Sequence, residues 1–235
     1  MSEPIRVLLF TKTEGFRHDC ITALGSALVS FPFEVRKSER SEDLLDLSHF
    51  DVIVLGHNTG SFLTSAEAEA LNSFVKNGAG VVGIHAAACG MSNNSDYSEI
   101  LGAVFESHPP PRWLSVEIKE PRHYITSGLA LQNPSSVVAL TSARSDTLDA
   151  ISWYDEAYVF RPRPSHARQP DILFSTITSG SEVDGFDTVS PSGWCNTLGK
   201  GRVFYTALGH FDEAYQTEWF LEVLCRSITW VAKRD

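Results

Sequence analysis

The chain has 235 residues, 43% of them hydrophobic and 20% charged, which suits one large α/β domain better than two small ones. Its 19 basic residues against 29 acidic ones give a net charge of -10, which disfavours nucleic acid as a partner because phosphate binding needs a clustered positive surface. No apolar run approaches the ~20 residues of a membrane-spanning helix.

Ile5 to Phe10 reads as a first strand, and the window Gly15-Phe16-Arg17-His18-Asp19 as the turn after it. A helix follows with apolar residues at Ile21, Leu24, Leu28 and Phe31, stopped by Pro32. Phe33 to Val35 is a short strand, Glu42 to Leu47 a helical turn, and Asp51 to Leu55 a third strand leading to His57 and Asn58. Thr64 with Glu67 three residues on is a capping box, opening a helix through Ala66 to Val75. Asn77-Gly78 closes it. Val81 to Ile84 is the next buried strand and ends at His85. This alternation up to about residue 105 argues for right-handed βαβ units and a parallel sheet.

The second half is less regular. His108 to Pro111 is a rigid loop, and Trp113 to Ile118, Val137 to Leu140, Ile151 to Phe160 and Ile172 to Thr178 are strand candidates with no helix between them. They read as an antiparallel extension. Ser179 to Gly193 is rich in Ser, Gly and Asp and reads as a long loop that could serve as a lid. Arg202 to Leu208 is a final buried strand ending at Gly209-His210, and Thr217 to Ala232 is the closing helix. Arg161, Arg163 and Arg168 form the densest basic stretch, but prolines divide it and it reads as a loop.

Ligands of open α/β sheets collect outside the carboxyl ends of the strands. Here those ends carry Thr11 and His18, His57 and Asn58, His85, and His210. Such convergence is the expected layout of a small-molecule pocket. A second window, Trp153 to Tyr158, holds Asp155 and Glu156 among aromatics. Within a strand their side chains would face opposite sides, leaving one buried or aimed at a pocket. A carboxylate there is expected to have a raised pKa, as a general acid or base requires.

Gly15 to Asp19, Gly83-Ile84-His85-Ala86, Asp155-Glu156-Ala157-Tyr158 and Gly199 to His210 together resemble the trehalose-utilisation (ThuA-like) family, in order and spacing, over nearly the whole chain. The resemblance implies a fold similar to class I glutamine amidotransferases. That is a flavodoxin-like three-layer α/β sandwich with a mainly parallel sheet and an antiparallel extension, as a single domain over residues 1–235. Amidotransferases carry a cysteine nucleophile in the sharp turn after the equivalent strand. This chain has His85 there and Cys89 four residues on, so amidotransfer is not expected. Family members commonly carry a His-Pro pair where this chain has His123-Tyr124, and the run after His85 is alanine-rich. Phe16, Trp113, Trp153, Tyr158 and Trp194 are candidate pocket walls. They suit a flat or hydrophobic metabolite at least as well as a sugar.

The chain has no GxGxxG fingerprint after its first strand and no Walker sequence, so no cofactor is expected. The leading reading is therefore a non-redox enzyme doing acid/base chemistry on a hydroxylated or keto metabolite, by isomerisation, elimination, hydration or ring closure. His85, Glu156, His18 and His210 are the candidate catalytic residues. Asn58, His57, Asp155, Tyr158, Phe16, His108, Trp113 and Trp194 are candidate substrate contacts. Two alternatives stand beside it: a zinc-dependent hydrolase held by His18, His85 and His210, although no HExxH-type spacing is present, and a non-catalytic ligand-binding module. Cys20, Cys89, Cys195 and Cys225 form no CxxC pair, and Met1 to Arg6 shows no leader. A cytoplasmic setting is expected, with a small molecule as partner, no nucleic acid or membrane, and a homo-oligomer left open.

Overall fold

The computed structural model describes residues 3–129, 150–161, 169–178 and 188–235. Five strands form the parallel part of a nine-stranded sheet: β1 (Arg6–Phe10), β2 (Glu34–Ser38), β3 (Val52–Gly56), β4 (Gly80–Ile84) and β11 (Gly201–Thr206). Their order is β2-β1-β3-β4-β11. The sheet continues as β10 (Thr188–Leu198), β9 (Asp171–Thr178), β6 (Arg112–Ile118) and β7 (Ala150–Asp155), each antiparallel to its neighbour. The α/β architecture with its antiparallel extension is therefore the one expected.

The parallel strands are continuous apolar runs because both of their faces are covered. Val7 and Leu9 of β1, with Val52, Val54, Val82, Ile84 and Phe204, pack under α1 (Ile21–Ser30) and α4 (Glu218–Val231). Leu8 and Phe10, with Ile53, Leu55, Val81, Val203 and Tyr205, pack on the other face under α2 (Ser65–Lys76) and α3 (Ser95–Leu101). These two cores make the three layers. α2 starts at the expected capping box, with Thr64 Oγ1 accepting from the Glu67 amide at 3.3 Å and the Glu67 carboxylate accepting from the Thr64 amide at 2.7 Å.

Several expectations need correction. α3 is an element that the sequence pattern does not announce, although Asn94 caps its first turn and Gly102 ends it at φ 75°. The run Ile151 to Phe160 is not one strand: β7 stops at Asp155, and Val159–Phe160 forms β8, which pairs with β5 (Phe105–Ser107) in a separate two-stranded sheet. The supposed loop from Ser179 contains, at residues 188–193, the first half of β10. Its loop-like composition reflects a register shift between Pro191 and Gly193, where a proline is tolerated and a glycine is required. A Cβ on Gly193 would sit 2.0 Å from the Phe174 ring. The strand candidate Val137 to Leu140, the rest of the supposed loop, and Arg163 and Arg168 lie outside the described residues. Among the described residues no helix is long and apolar enough to cross a membrane.

Candidate active site

Strand order reverses beside β1, since β2 lies on one side of it and β3 on the other, so a crevice opens at the carboxyl ends of these strands. His57 follows β3 with φ 59°, and His85 follows β4 with φ 48°. Backbone in this region is uncommon for side chains larger than glycine and persists only where surroundings hold it. At His85 the hold is visible. Tyr205 Oη donates to the His85 carbonyl at 2.7 Å, and His85 Nδ1 lies 2.6 Å from the Ala207 carbonyl. A carbonyl only accepts, so Nδ1 carries the ring proton and Nε2 presents a lone pair to the crevice.

Three further groups surround that lone pair. Tyr158 Oη is 2.9 Å from Nε2, His210 Nδ1 is 3.1 Å away and Glu156 Oε2 is 3.4 Å away. Glu156 also lies 3.3 Å from His210 Nδ1 and, through its other oxygen, 3.4 Å from His108 Nδ1. His18 packs edge-on against both His85 and His210, with ring centroids 5.3 and 5.2 Å away. One ring nitrogen each from His18, His85 and His210 falls within 4.8 Å of the others.

Asp155 builds the other wall. Its Oδ2 accepts from the Gly209 amide at 2.8 Å and from Trp153 Nε1 at 2.8 Å, while Oδ1 accepts from the Glu156 amide at 2.8 Å. It thereby joins the end of β7 to the turn that carries His210, where Gly209 has φ 115°. Because the strand ends at Asp155, Asp155 and Glu156 do not alternate across a sheet. Both are buried, at 1% and 6% exposure.

The electrostatics follow from this crowding. Burial, aided by neighbouring His85 and His210, pushes the His18 imidazole down to about 3, so it is neutral and offers lone pairs. Burial likewise holds His57 well below the usual imidazole range. For Glu156 burial acts upward, but the neighbouring imidazoles of His210 and His85 outweigh it and hold the carboxyl well below its ordinary value. The expected raised pKa at Glu156 is thus corrected: this carboxylate is ionised and acts as an acceptor. His210 is raised despite burial by its contact with Glu156.

The structure brings together His85, Glu156, His18, His210, Tyr158 and His108. Phe16 is exposed at the rim, edge-on to His18 at 4.9 Å. Other expected contacts lie elsewhere. Trp194 is core, with Nε1 donating to the Leu101 carbonyl at 3.0 Å and its ring against Tyr205. Trp153 packs on Trp219 and Phe220 in the core under α4, and Trp113 stands half-exposed on β6 against Tyr154. Asn58 is fully buried and ties down the loop after β1, donating to the carbonyls of Phe10 at 3.2 Å and Lys12 at 2.8 Å. His57 lies beneath the cluster, its Nε2 2.6 Å from Tyr215 Oη. Asp155 positions backbone rather than facing the crevice. Tyr205 and Tyr215, which hold His85 and His57, are additions to the expected set. Nothing local marks them, since each reaches its histidine across more than a hundred residues of sequence.

The profile of the ThuA family, described as trehalose utilisation, matches residues 6–231. A putative ThuA-like protein from Parabacteroides merdae is 21% identical and superposes with a TM-score of 0.77 over 99% of this chain and 91% of that one. A second, from Bacteroides uniformis, is 20% identical with a TM-score of 0.70 over 97% and 91%. A putative GMP synthase protein from Thermoplasma acidophilum, 9% identical, shares the fold with a TM-score of 0.56 over 100% and 97%. No curated protein matches the sequence. A match over almost its full length makes this chain a member of the ThuA family.

Proposed function

We propose that the protein is a small-molecule enzyme that moves protons on a hydroxylated or keto metabolite, by isomerisation, elimination, hydration or intramolecular ring closure. The observation that carries this reading is the Glu156 carboxylate, with one oxygen 3.3–3.4 Å from nitrogens of His210 and His85 and the other 3.4 Å from His108. A binding module has no need for a carboxylate held among three imidazoles at a sheet's ligand crevice. Glu156 is ionised and can accept a proton once substrate takes the place of the imidazole contacts that lower it, and His210, raised beside it, can return one. Tyr158 and His18 supply polar contacts for a carbonyl or hydroxyl oxygen. The thiols beside the cluster are not competing nucleophiles: burial pushes both Cys20 and Cys89 up to about 12. The family's description supports a sugar-derived substrate, and Phe16 at the rim equally admits a flat one. The four free thiols fit a reducing, cytoplasmic setting.

The test begins with a turnover screen across disaccharides, their keto derivatives and aromatic keto compounds. On the resulting substrate, Glu156→Gln keeps the shape of the side chain but removes its basicity, so kcat is expected to fall by roughly 10²–10⁴-fold with the melting temperature nearly unchanged. Full turnover in that variant would overturn the acid/base reading.

A further inference from the structure

We infer that His18, His85 and His210 form a binding site for a single divalent cation of the zinc class, at the crevice end of the parallel sheet. The inference rests on the reading of this cluster as the functional site; it replaces the expectation of a cofactor-free centre and, with the ion bound, makes His18 and His210 ligands and leaves proton transfer to Glu156.

Proton counting is the first argument. His85 Nδ1 is committed to the Ala207 carbonyl at 2.6 Å, so Nε2 can only accept. His210 Nδ1 at 3.1 Å has one proton at most, which it cannot give fully to both His85 and Glu156. His18 Nδ1 is buried and has no hydrogen-bond partner. Both carboxylate oxygens of Glu156 are acceptors as well. Tyr158 Oη can donate to His85 Nε2 at 2.9 Å and His210 Nδ1 to Glu156, which leaves the buried His18 nitrogen without a partner, and leaving a buried polar atom unpaired is costly. A cation held by His18, His85 and His210 would give that nitrogen its partner.

Geometry agrees. Nitrogens around tetrahedral zinc, with Zn–N near 2.0–2.1 Å, stand about 3.3 Å apart. His85 and His210 already stand 3.1 Å apart, and His18 lies within 4.8 Å of each, so closing the set needs a movement of at most about 1.5 Å. The contact from His85 Nδ1 to a backbone carbonyl is the outer-shell bond that fixes the tautomer and aim of a metal-bound imidazole. Three imidazoles with no thiolate favour zinc over cations that prefer oxygen. His210 is partly exposed and leaves an access route. With three protein ligands a fourth position stays open beside Glu156, suited to water or the carbonyl oxygen of a keto substrate. His57 is not a ligand, since its Nε2 is engaged by Tyr215 at 2.6 Å.

The experiment uses the full chain, freed of metal with a chelator and titrated with Zn²⁺ by calorimetry and with Co²⁺ by visible spectroscopy. The expected result is one ion per chain, with Co²⁺ giving the intense ligand-field bands of a tetrahedral nitrogen-rich site. Mg²⁺ should not compete. His18→Ala and His210→Ala should each weaken Zn²⁺ binding by more than ~100-fold, beyond the ~10–100-fold typical of losing an outer-shell partner. His123→Ala, against Trp230 on the α4 side, should bind as the parent does. Circular dichroism checks folding, and His18→Gln serves if the alanine variant fails to fold. Absence of stoichiometric uptake by the folded parent chain would overturn the inference, as would unchanged affinity in both ligand variants. If the parent takes up no metal but Glu156→Gln still abolishes turnover, the metal site falls and the acid/base reading stands. If metal binds in stoichiometric amount while Glu156→Gln turns over fully, the reverse holds.

Discussion

The parallel half and the antiparallel extension contribute different chemistry to one crevice. β1, β3, β4 and β11 deliver His18, His57, His85 and His210, because parallel strands all end on the same edge of the sheet. The extension delivers the groups that set the state of those imidazoles: Glu156, Asp155 and Tyr158, at and just past the end of β7. One half supplies a row of imidazole nitrogens, and the other supplies the negative charge and the anchors. The parallel half alone would be a sheet edge with buried histidines. The contact between halves makes it a candidate active site.

Breaking the join between them should have the largest effect on stability. Trp194 on β10 is 2% exposed and donates to the Leu101 carbonyl at the end of α3. Trp194→Ala should cost about 3–5 kcal/mol, measured by urea unfolding, through the cavity and the unpaired carbonyl. A loss under ~1 kcal/mol would show that the halves do not depend on this contact.

Asp155→Ala comes next. It leaves the Gly209 amide, the Glu156 amide and Trp153 Nε1 without acceptors, so a loss of about 2–4 kcal/mol is expected. Turnover should fall as well, because both Glu156 and His210 lose their backbone anchor. Normal turnover in a destabilised Asp155→Ala protein would confine this carboxylate to a folding role.

Acid should act through the parallel half. His57 is fully buried and held neutral, so its folded pKa lies below the ordinary value of about 6.5. As pH falls through about 6.5 the unfolded chain takes up a proton that the folded chain refuses. Stability is therefore lost on the acid side, by up to about 1.4 kcal/mol per pH unit for this group. His18, lowered to about 3, acts in the same direction. Urea midpoints of the metal-free protein at about pH 7, 6 and 5 would reveal it, and a flat profile over that range would contradict the buried neutral pair.

The smallest effect is expected at Cys89, whose thiol lies 3.7 Å from Tyr158 Oη. Cys89→Ala should leave kcat within about twofold, since no thiolate is available there. A drop of ~10³-fold would instead point to covalent cysteine chemistry.

Much of the parallel half is legible in the sequence. Strands buried on both faces are continuous apolar runs, and the Thr64–Glu67 capping box announces α2 by residues three apart. α3 escapes such a reading because seven residues carry little periodicity, and the start of β10 reads as a loop because Pro191, Ser192 and Gly193 mark its bulge. Among the site residues, the strand-end histidines are legible from position alone. The roles of Asp155 and Trp194 are not, because a carboxylate or indole is read from its partners, and those partners lie 54 and 93 positions away.

Signals carried within a few residues are enough to identify the α/β class, the parallel strands and the histidines at their ends, since periodicity, caps and turns are local. The ionisation of Glu156, the tautomer of His85 and the meeting of three imidazoles at one point are settled only by folding. Each depends on distances between groups far apart in the chain, His18 and His210 being 192 residues from one another, and on how much water the packed halves leave between them.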